Sequence, residues 1–169
     1  MRHEESTLQQ QCVAWFRAQY PQYAMLLTHP INEGWRGTGV VGGIHKAEGT
    51  VKGVPDLLFF LPVLKVNLGF SLEDRRQMGV ICGLGIEFKT DKGKQSQEQK
   101  DFEKMFVAAG YAYEVVRSFE KFKFIITNWI AWADPSITKQ ITDAHREIAK
   151  EQLQRERDKL KKIVGRKAV

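Results

Sequence analysis

Gly53-Val54-Pro55-Asp56-Leu57-Leu58-Phe59-Phe60 and Gly83-Leu84-Gly85-Ile86-Glu87-Phe88-Lys89 are the two stretches of sequence that decide the fold. The first is apolar on both faces from Leu57 to Leu61, which is typical of a central strand covered on each side. Its Pro-Asp pair places Asp56 at the head of that strand. We expect the second stretch to form a neighbouring strand, with the remainder of the chain packed around the pair.

The second stretch alternates between apolar and charged residues. Side chains two positions apart share a face of a strand, so Leu84, Ile86 and Phe88 fall on one face and Glu87 and Lys89 on the other. A carboxylate and an ammonium group are therefore expected to point together. The two glycines of the same stretch are expected to leave room for another group to approach.

The polar groups at these strand ends predict a site for a divalent cation and a phosphodiester. If Asp56 heads the strand next to Glu87, their carboxylates converge, and hard oxygen ligands of this kind select Mg²⁺ or Mn²⁺. We predict Asp56, Glu87 and the backbone carbonyl of Phe88 as metal ligands. Lys89 would stabilise the attacking hydroxide or the transition state electrostatically. The alternative interpretation is a structural ion pair on a strand.

Residues 4–19 have the apolar periodicity of an amphipathic helix, and Pro21 ends it. Its apolar stripe consists of Leu8, Cys12, Trp15 and Phe16. Glu5 projects near the middle of this stripe, and two interpretations stay open. It either complements the helix dipole in the first turn, or it reaches the metal site or its water shell, with Gln9 one turn further on.

A second helix is predicted after Ser96 and ends at Gly110. Ser96 and Gln99 fit a capping box, in which each side chain bonds the other residue's backbone N–H. Gln99 also continues the apolar stripe of the helix, so it is equally expected to face inward, toward the strand ends. That stripe is predicted to consist of Phe102, Met105, Phe106 and Ala109.

The other segments give a coarser prediction. We expect strands at 23–29, 81–90 and 111–117, the second of which includes Glu87 and Lys89. We also expect a glycine-rich loop at 30–52, an insertion at 62–80, a helix capped by Ser118, and a charged helix from residue 136 to 163. The insertion is interpreted as a hairpin extension, a lid or a dimer contact. His29, Asn32, Arg36 and His45 lie in or beside the loop and are candidates for phosphate contact, although each alone is more often an ordinary surface residue.

Charge is unevenly distributed along the chain, whose formal net charge is +6. Residues 136–169 hold ten Lys/Arg against five Asp/Glu, whereas residues 1–135 hold sixteen against fifteen. The tail is therefore the stronger electrostatic candidate for contact with nucleic acid. Apolar runs are too short to span a bilayer, so we expect a cytoplasmic protein, with Cys12 and Cys82 as buried reduced thiols.

The ordered set of motifs resembles the VRR-NUC branch of the PD-(D/E)XK nuclease superfamily over about residues 4–127. The matching positions are Glu5 and Gln9, Pro30-Ile31-Asn32-Glu33-Gly34-Trp35-Arg36, Gly53-Val54-Pro55-Asp56, Glu87-Phe88-Lys89, Ser96-Gln97-Glu98-Gln99, and Ala109-Gly110-Tyr111. The resemblance implies an α/β (α+β) fold, in which helices flank a restriction-endonuclease-like mixed β-sheet; we expect a long C-terminal helix in addition. It also implies DNA cleavage that depends on Mg²⁺ or Mn²⁺.

The same resemblance implies roles for single residues. Asp56 and Glu87 match the metal ligands, Lys89 the catalytic lysine, Glu5 the first-helix acid and Gln99 the glutamine that follows the lysine. For DNA binding we predict Asn32, Arg36, Lys92 and Lys94. Stand-alone members of the family resemble dimeric enzymes that act on branched DNA such as four-way junctions.

The sequence thus predicts a nuclease domain at 1–134 and a basic helical extension at 135–169. We expect a homodimer that acts on DNA, with no membrane partner, in replication, repair or recombination. Two alternatives stay open: a DNA-binding or assembly module that keeps the fold without turnover, and a restriction-type endonuclease.

Overall fold

The computed structural model describes residues 2–30, 47, 49–64, 79–133 and 135–167. Its helices and strands in chain order are α1 (Arg2–Gln19), a 3₁₀ helix (Pro21–Leu26), β1 (Leu27–Thr28), β2 (Leu57–Phe59), β3 (Val63–Leu64), β4 (Val80–Ile81), β5 (Leu84–Phe88), α2 (Gln97–Ala108), β6 (Ala112–Val116), α3 (Phe119–Ala131) and α4 (Pro135–Lys167). The predicted mixed sheet, flanking helices and long C-terminal helix are confirmed.

Four strands form the main sheet in the order β1-β2-β5-β6. β2 is antiparallel to both β1 and β5, and β5 is parallel to β6. The parallel pair requires a crossover connection, which α2 supplies. β2 and β5 are therefore the two inner strands, and the central position of β2 is the one that its apolar sequence predicts.

The apolar core lies between one face of this sheet and helices α1 and α3. Phe16 of α1 packs edge-on against Phe59, with ring centroids 5.3 Å apart, and Phe122 of α3 lies 6.0 Å from Phe88. Leu84, Ile86 and Phe88 are all buried, as their shared face predicts. Helix α2 covers the opposite face, which bears Glu87.

Two predicted strands differ from the structure. Residues 23–26 form the end of the 3₁₀ helix, and only Leu27 and Thr28 are extended. Pro21 occupies the first turn of that helix, where its fixed φ is favourable. The strand predicted at 81–90 is interrupted at Cys82 and Gly83, because β4 pairs with β3 in a separate two-stranded sheet.

Gly83 and Gly85 leave room for other groups to approach, as expected, and the groups that fill this space are protein atoms. A Cβ at position 83 would lie 2.7 Å from the carbonyl oxygen of Phe59. A Cβ at position 85 would lie 3.0 Å from Pro55 and 3.1 Å from the ring of Phe106. Both glycines therefore permit close packing within the protein.

Two predictions of burial are also wrong. Met105 and Ala109 are predicted to lie on the buried stripe of α2, yet both are exposed, and the relative exposure of Met105 is 71%. Cys82 is exposed, whereas Cys12 is buried, and burial raises the pKa of the Cys12 thiol to about 12. Neither described cysteine forms a disulfide.

Helix α4 continues the chain for 33 residues. Ile137 and Ile141 in its first turns pack against the core, whereas Leu153, Leu160 and Ile163 are at least half exposed. The division of the chain near residue 134 stays a prediction. None of the helices within the described residues combines the length and apolar character needed to cross a membrane.

The insertion at 62–80 begins and ends in paired strands. Val63 lies opposite Ile81, and Leu64 lies opposite Val80, in an antiparallel ladder. The residues between them, 65–78, lie outside the described part of the chain, as do most residues of the glycine-rich loop.

Candidate functional site

The register between β2 and β5 determines where the first carboxylate lies. Leu57 is opposite Ile86, so Asp56, one residue earlier, is opposite Glu87 when the ladder is extended by one position. Directly opposed residues of an antiparallel pair lie on the same face. The Oδ2 atom of Asp56 accepts a hydrogen bond of 2.6 Å from the backbone N–H of Phe88. The structure therefore brings Asp56 to the strand end that carries Glu87.

Glu87 is a buried carboxylate surrounded by hydrogen-bond donors. Only 1% of the residue is exposed. Its Oε1 atom accepts from the ammonium group of Lys89 and from the side-chain amide of Gln99. The hydroxyl of Tyr113 donates to Oε2 at 3.4 Å. Three side chains, from the residue after β5, from α2 and from β6, thus converge on one carboxylate.

The surroundings of Glu87 make it bind a proton more tightly than a free glutamate does. Burial and the nearby charge of Asp56 raise the pKa of Glu87 to about 7, although Lys89 and Tyr113 oppose this shift. A carboxylate resists ionisation when it loses water and faces a second negative charge. Burial, followed by the charge of Glu87, raises the pKa of Tyr113, so its hydroxyl remains a donor.

Gln99 fulfils both interpretations of its sequence position. Its Oε1 atom accepts from the backbone N–H of Ser96 at 2.9 Å, and the Ser96 hydroxyl accepts from the backbone N–H of Gln99 at 3.2 Å, which completes the capping box. The Nε2 atom of the same side chain donates to Glu87. One amide therefore fixes the start of α2 and orients the buried carboxylate.

Gly53 allows the segment leading to Asp56 to approach the first turn of α2. Its φ is +82°, and a Cβ there would lie 2.2 Å from the carbonyl oxygen of Glu98 and 2.8 Å from the backbone nitrogen of Gln99. No larger residue fits without moving the backbone. The Gly-Val-Pro-Asp motif and the turn that carries Gln99 are therefore packed as one unit.

Glu5 lies beside the segment that follows Lys89. Its Oε1 atom accepts a 2.9 Å hydrogen bond from the backbone N–H of Thr90. It also lines a cleft of about 210 Å³, whose other lining residues are Glu4, Leu8, Lys89, Thr90, Asp91 and Arg117. Glu5 therefore contacts the backbone after Lys89, an arrangement that differs from both predicted interpretations, the helix dipole and the metal site.

Gln9 and His29 both approach the backbone of Asp56. The Nδ1 atom of His29 lies 2.6 Å from the carbonyl oxygen of Asp56, and the Nε2 atom of Gln9 lies 3.5 Å from it. Because a carbonyl oxygen only accepts, Nδ1 of His29 carries the proton in this contact. The two side chains help to fix the start of β2.

The remaining predicted site residues are not brought into contact with Glu87. Lys92 and Lys94 are exposed on the connection between β5 and α2. Asn32, Arg36 and His45 lie outside the described residues. Across the ranges that the structure describes, no group of three or more His, Cys, Asp or Glu side chains is arranged to hold a metal ion.

Two residues of this site were missed in the sequence. Tyr113 reaches Glu87, and Arg117 donates to the carbonyl oxygen of Thr90. A usable signal exists for Arg117: it directly follows the strand parallel to β5, and the carboxyl ends of parallel strands lie at one edge of a sheet. Tyr113 gives no such signal, since its neighbour across the ladder depends on the register.

The fold of this chain resembles that of a solved structure, whereas sequence comparisons give no match. No protein-family model matches the chain, and no curated protein sequence matches it. A solved structure described as "VRR_NUC domain protein" aligns with 77% of this chain and 90% of its own, with a TM-score of 0.59 and 19% sequence identity. At this identity the likeness concerns the fold alone. The chain thus shares its fold with a VRR_NUC domain protein.

Proposed function

We propose that this protein is a Mg²⁺- or Mn²⁺-dependent endodeoxyribonuclease. The observation that carries the proposal is the register that sets Asp56 opposite Glu87, with Lys89 paired to Glu87. The shared fold with a VRR_NUC domain protein supports the same proposal. So does the resemblance of the ordered motifs to the PD-(D/E)XK nucleases.

The residues present fit a small divalent cation. Asp56 and Glu87 supply two carboxylates, and their mutual repulsion, together with burial, raises the pKa of Glu87. Mg²⁺ is commonly held by one or two carboxylates with waters and substrate phosphates, so a third acidic ligand is not required. The carbonyl of Phe88 is proposed as a further ligand. When bound, such an ion polarises the phosphate and lowers the pKa of water.

The chain's own side chains would perform the remaining tasks. Lys89 presents a positive charge beside the carboxylates, where it would stabilise the negative charge that develops on the phosphoryl oxygens. Gln99 and Tyr113 hold the two oxygens of Glu87 in place. Hydrogen bonds of this kind around a ligating carboxylate orient it and tune its affinity for the metal.

The DNA substrate and the assembly are finer parts of the proposal. Lys92 and Lys94 are exposed on the turn that follows Lys89, so they are proposed to contact the phosphate backbone. Cleavage of branched DNA such as a four-way junction is proposed from the family resemblance. A homodimer follows from that substrate, because paired nicks on a symmetric junction require two active sites.

A cleavage assay tests the site and the activity together. Labelled linear, flap and four-way-junction DNA would be incubated with Mg²⁺, Mn²⁺ or EDTA. We expect cleavage by the wild-type protein with either metal, and losses of at least about 100-fold for Asp56→Ala and Lys89→Ala. Lys123→Ala is the matched control, because Lys123 is paired with Glu120 on the surface of α3.

Three outcomes would contradict different parts of the proposal. Binding of DNA without cleavage under every metal condition would favour the non-catalytic module. Cleavage by Asp56→Ala at the wild-type rate would contradict the assignment of the site, although not the nuclease activity. Cleavage confined to one sequence in linear DNA would favour the restriction-type alternative.

A further inference from the structure

The backbone on either side of Lys89 is held by hydrogen bonds from two other elements. The N–H of Lys89 donates at 3.0 Å to the carbonyl oxygen of Val116, the last residue of β6. The N–H of Thr90 donates to Glu5 of α1 at 2.9 Å. The Thr90 N–H belongs to the peptide group that joins Lys89 to Thr90. These two bonds therefore restrain rotation on both sides of the Lys89 Cα atom.

Arg117 holds the peptide group that follows. Its Nη1 atom donates to the carbonyl oxygen of Thr90 and, at 3.4 Å, to that of Asp91. Thr90 is thus bonded through its N–H to an acid and through its carbonyl to a guanidinium group. Charge-assisted hydrogen bonds are shorter and stronger than neutral ones, so both bonds favour one backbone path after β5.

Packing around this segment is equally close. A Cβ at Gly93 would lie 3.2 Å from the Oε1 atom of Glu5 and 3.3 Å from the Cδ atom of Lys89. The turn thus brings the Glu5 carboxylate and the stem of Lys89 within contact of the same backbone position. The orientation of Lys89 depends on this arrangement as well as on its ion pair with Glu87.

We propose that Glu5 and Arg117 are positioning residues that clamp the Thr90 backbone and thereby aim the Lys89 ammonium group. The inference rests on the proposed nuclease function and assigns Glu5 a role other than metal coordination. The carboxylate oxygen that bonds Thr90 acts on the backbone beyond the lysine. A misplacement of about 1 Å in a reacting group can reduce a rate by about 100-fold, which gives such a clamp a measurable effect.

The two roles of Glu5 are separated by comparing Glu5→Gln with Glu5→Ala. A glutamine keeps a side-chain carbonyl that can accept from Thr90, but it is a poor ligand for Mg²⁺ or Mn²⁺. If Glu5 is a clamp, Glu5→Ala should lower kcat by about 10- to 100-fold with little change in KM. The decrease in kcat should be several-fold smaller in Glu5→Gln than in Glu5→Ala. Both variants should bind Mn²⁺ with wild-type affinity in calorimetry without DNA.

Arg117 provides an independent test of the same clamp. Arg117→Ala should lower kcat by about 10- to 100-fold, and added methylguanidinium should restore part of the rate. The kcat of Arg117→Lys should be little higher than that of Arg117→Ala, since a single ammonium group does not reproduce the two-pronged guanidinium group. Lys123→Ala again serves as the control, and melting temperatures within a few degrees of wild type would show that the variants fold.

Hydrogen exchange of the Thr90 amide gives a readout that does not depend on activity. Exchange should accelerate in Glu5→Ala and stay slow in Glu5→Gln. A Glu5→Gln protein that loses Mn²⁺ affinity and activity as fully as Glu5→Ala would overturn the clamp in favour of metal coordination. An unchanged kcat in Arg117→Ala would show that Arg117 is not part of the clamp. A wild-type protein that cleaves no DNA would contradict the proposed function, whereas the exchange rates would still test the backbone contact.

Discussion

Glu87 is the residue on which the site depends, because it is a buried carboxylate whose neighbours act on its ionisation in opposite directions. Lys89, Gln99 and Tyr113 donate to it, while burial and the charge of Asp56 oppose its ionisation. The carboxylate therefore lies close to its protonation midpoint near neutral pH. A cation between the two carboxylates would remove the main obstacle to ionisation.

The first prediction concerns the pH dependence of stability without metal. The pKa of Glu87 is raised from 4.5 to about 7 in the folded state, so the native protein binds this proton more tightly than the unfolded chain. The resulting stabilisation is complete below the unfolded pKa and is lost as pH rises through about 7. The slope contributed by one proton is at most about 1.4 kcal/mol per pH unit.

Urea unfolding between pH 5 and 8 measures this effect, with Glu87→Gln as the reference because it cannot titrate. We expect the free energy of unfolding to fall with rising pH by more in the wild type than in Glu87→Gln. Mn²⁺ should reduce the difference, since it binds the ionised form. Parallel profiles for the two metal-free proteins would contradict the prediction.

A second prediction separates the two functions of Gln99. Ser96→Ala removes only the cap and should cost about 1 kcal/mol of stability without altering Mn²⁺ affinity. Gln99→Glu keeps an oxygen for the Ser96 N–H but replaces the donor to Glu87 with a third carboxylate. It should cost about 2–4 kcal/mol without metal, and part of that loss should be recovered in Mn²⁺. If urea unfolding showed the same loss of stability in Ser96→Ala and Gln99→Glu, the contact between Gln99 and Glu87 would contribute little to the free energy of unfolding.

For single residues, the sequence predicts the orientation of side chains within one strand or helix better than contacts between different elements. The strand period was sufficient to pair Glu87 with Lys89, and the helical period directed Gln99 inward. The bond between Glu5 and Thr90 spans 85 residues. It depends on how α1 crosses β5, which no local pattern encodes.

Among the elements, the first turn of α2 is held in place by the close approach of the loop before β2. The third prediction uses two glycines with similar backbone angles: Gly53 has a φ of +82° and Gly49 a φ of +94°. A Cβ at Gly53 would overlap the backbone of Glu98, whereas nothing lies within 4 Å of one at Gly49. The matched pair therefore separates backbone strain from overpacking.

Gly49→Ala should cost only the strain of a positive φ, about 1–2 kcal/mol. Gly53→Ala should cost about 1–3 kcal/mol more, because the backbone must move to accept the extra methyl group. It should also lower Mn²⁺ affinity, since the displaced segments carry Asp56 and Gln99. Thermal unfolding and calorimetry measure both effects, and equal costs at the two positions would contradict the packing argument.

The errors in predicting elements have physical causes. Residues 21–26 include no β-branched residue, so their short apolar pattern fits a strand while their composition allows a helical turn. In α2, the direction toward the sheet is set by Gln99 and Phe106. Met105 points about 110° away from them at 100° per residue, so an apolar side chain there stays exposed. Polar residues at a site shift the buried face away from the apolar stripe.

For the molecule as a whole, charge is concentrated on the end of α4. Residues 153–167 hold seven Lys/Arg and two Asp/Glu. The helix is about 50 Å long and its exposed part begins after Ile141, the last of its residues packed against the core. The sequence predicted the helix and its charge, but its imperfect heptad pattern does not identify a partner.

The last prediction is that this basic end contacts DNA phosphates. Because each phosphate contact contributes about 0.9 to the slope of log K against log salt, deleting residues 152–169 should flatten the salt dependence of DNA binding. In the full chain, replacing Arg155, Arg157 and Lys159 with Gln should lower the slope by up to about 2.7. Leu153→Ala with Leu160→Ala is the matched control, since both leucines are exposed on the same helix. If the leucine variant instead reduces the sedimenting mass while the charge variant leaves the slope unchanged, α4 is an association surface, and DNA binding must come from groups nearer Lys92 and Lys94.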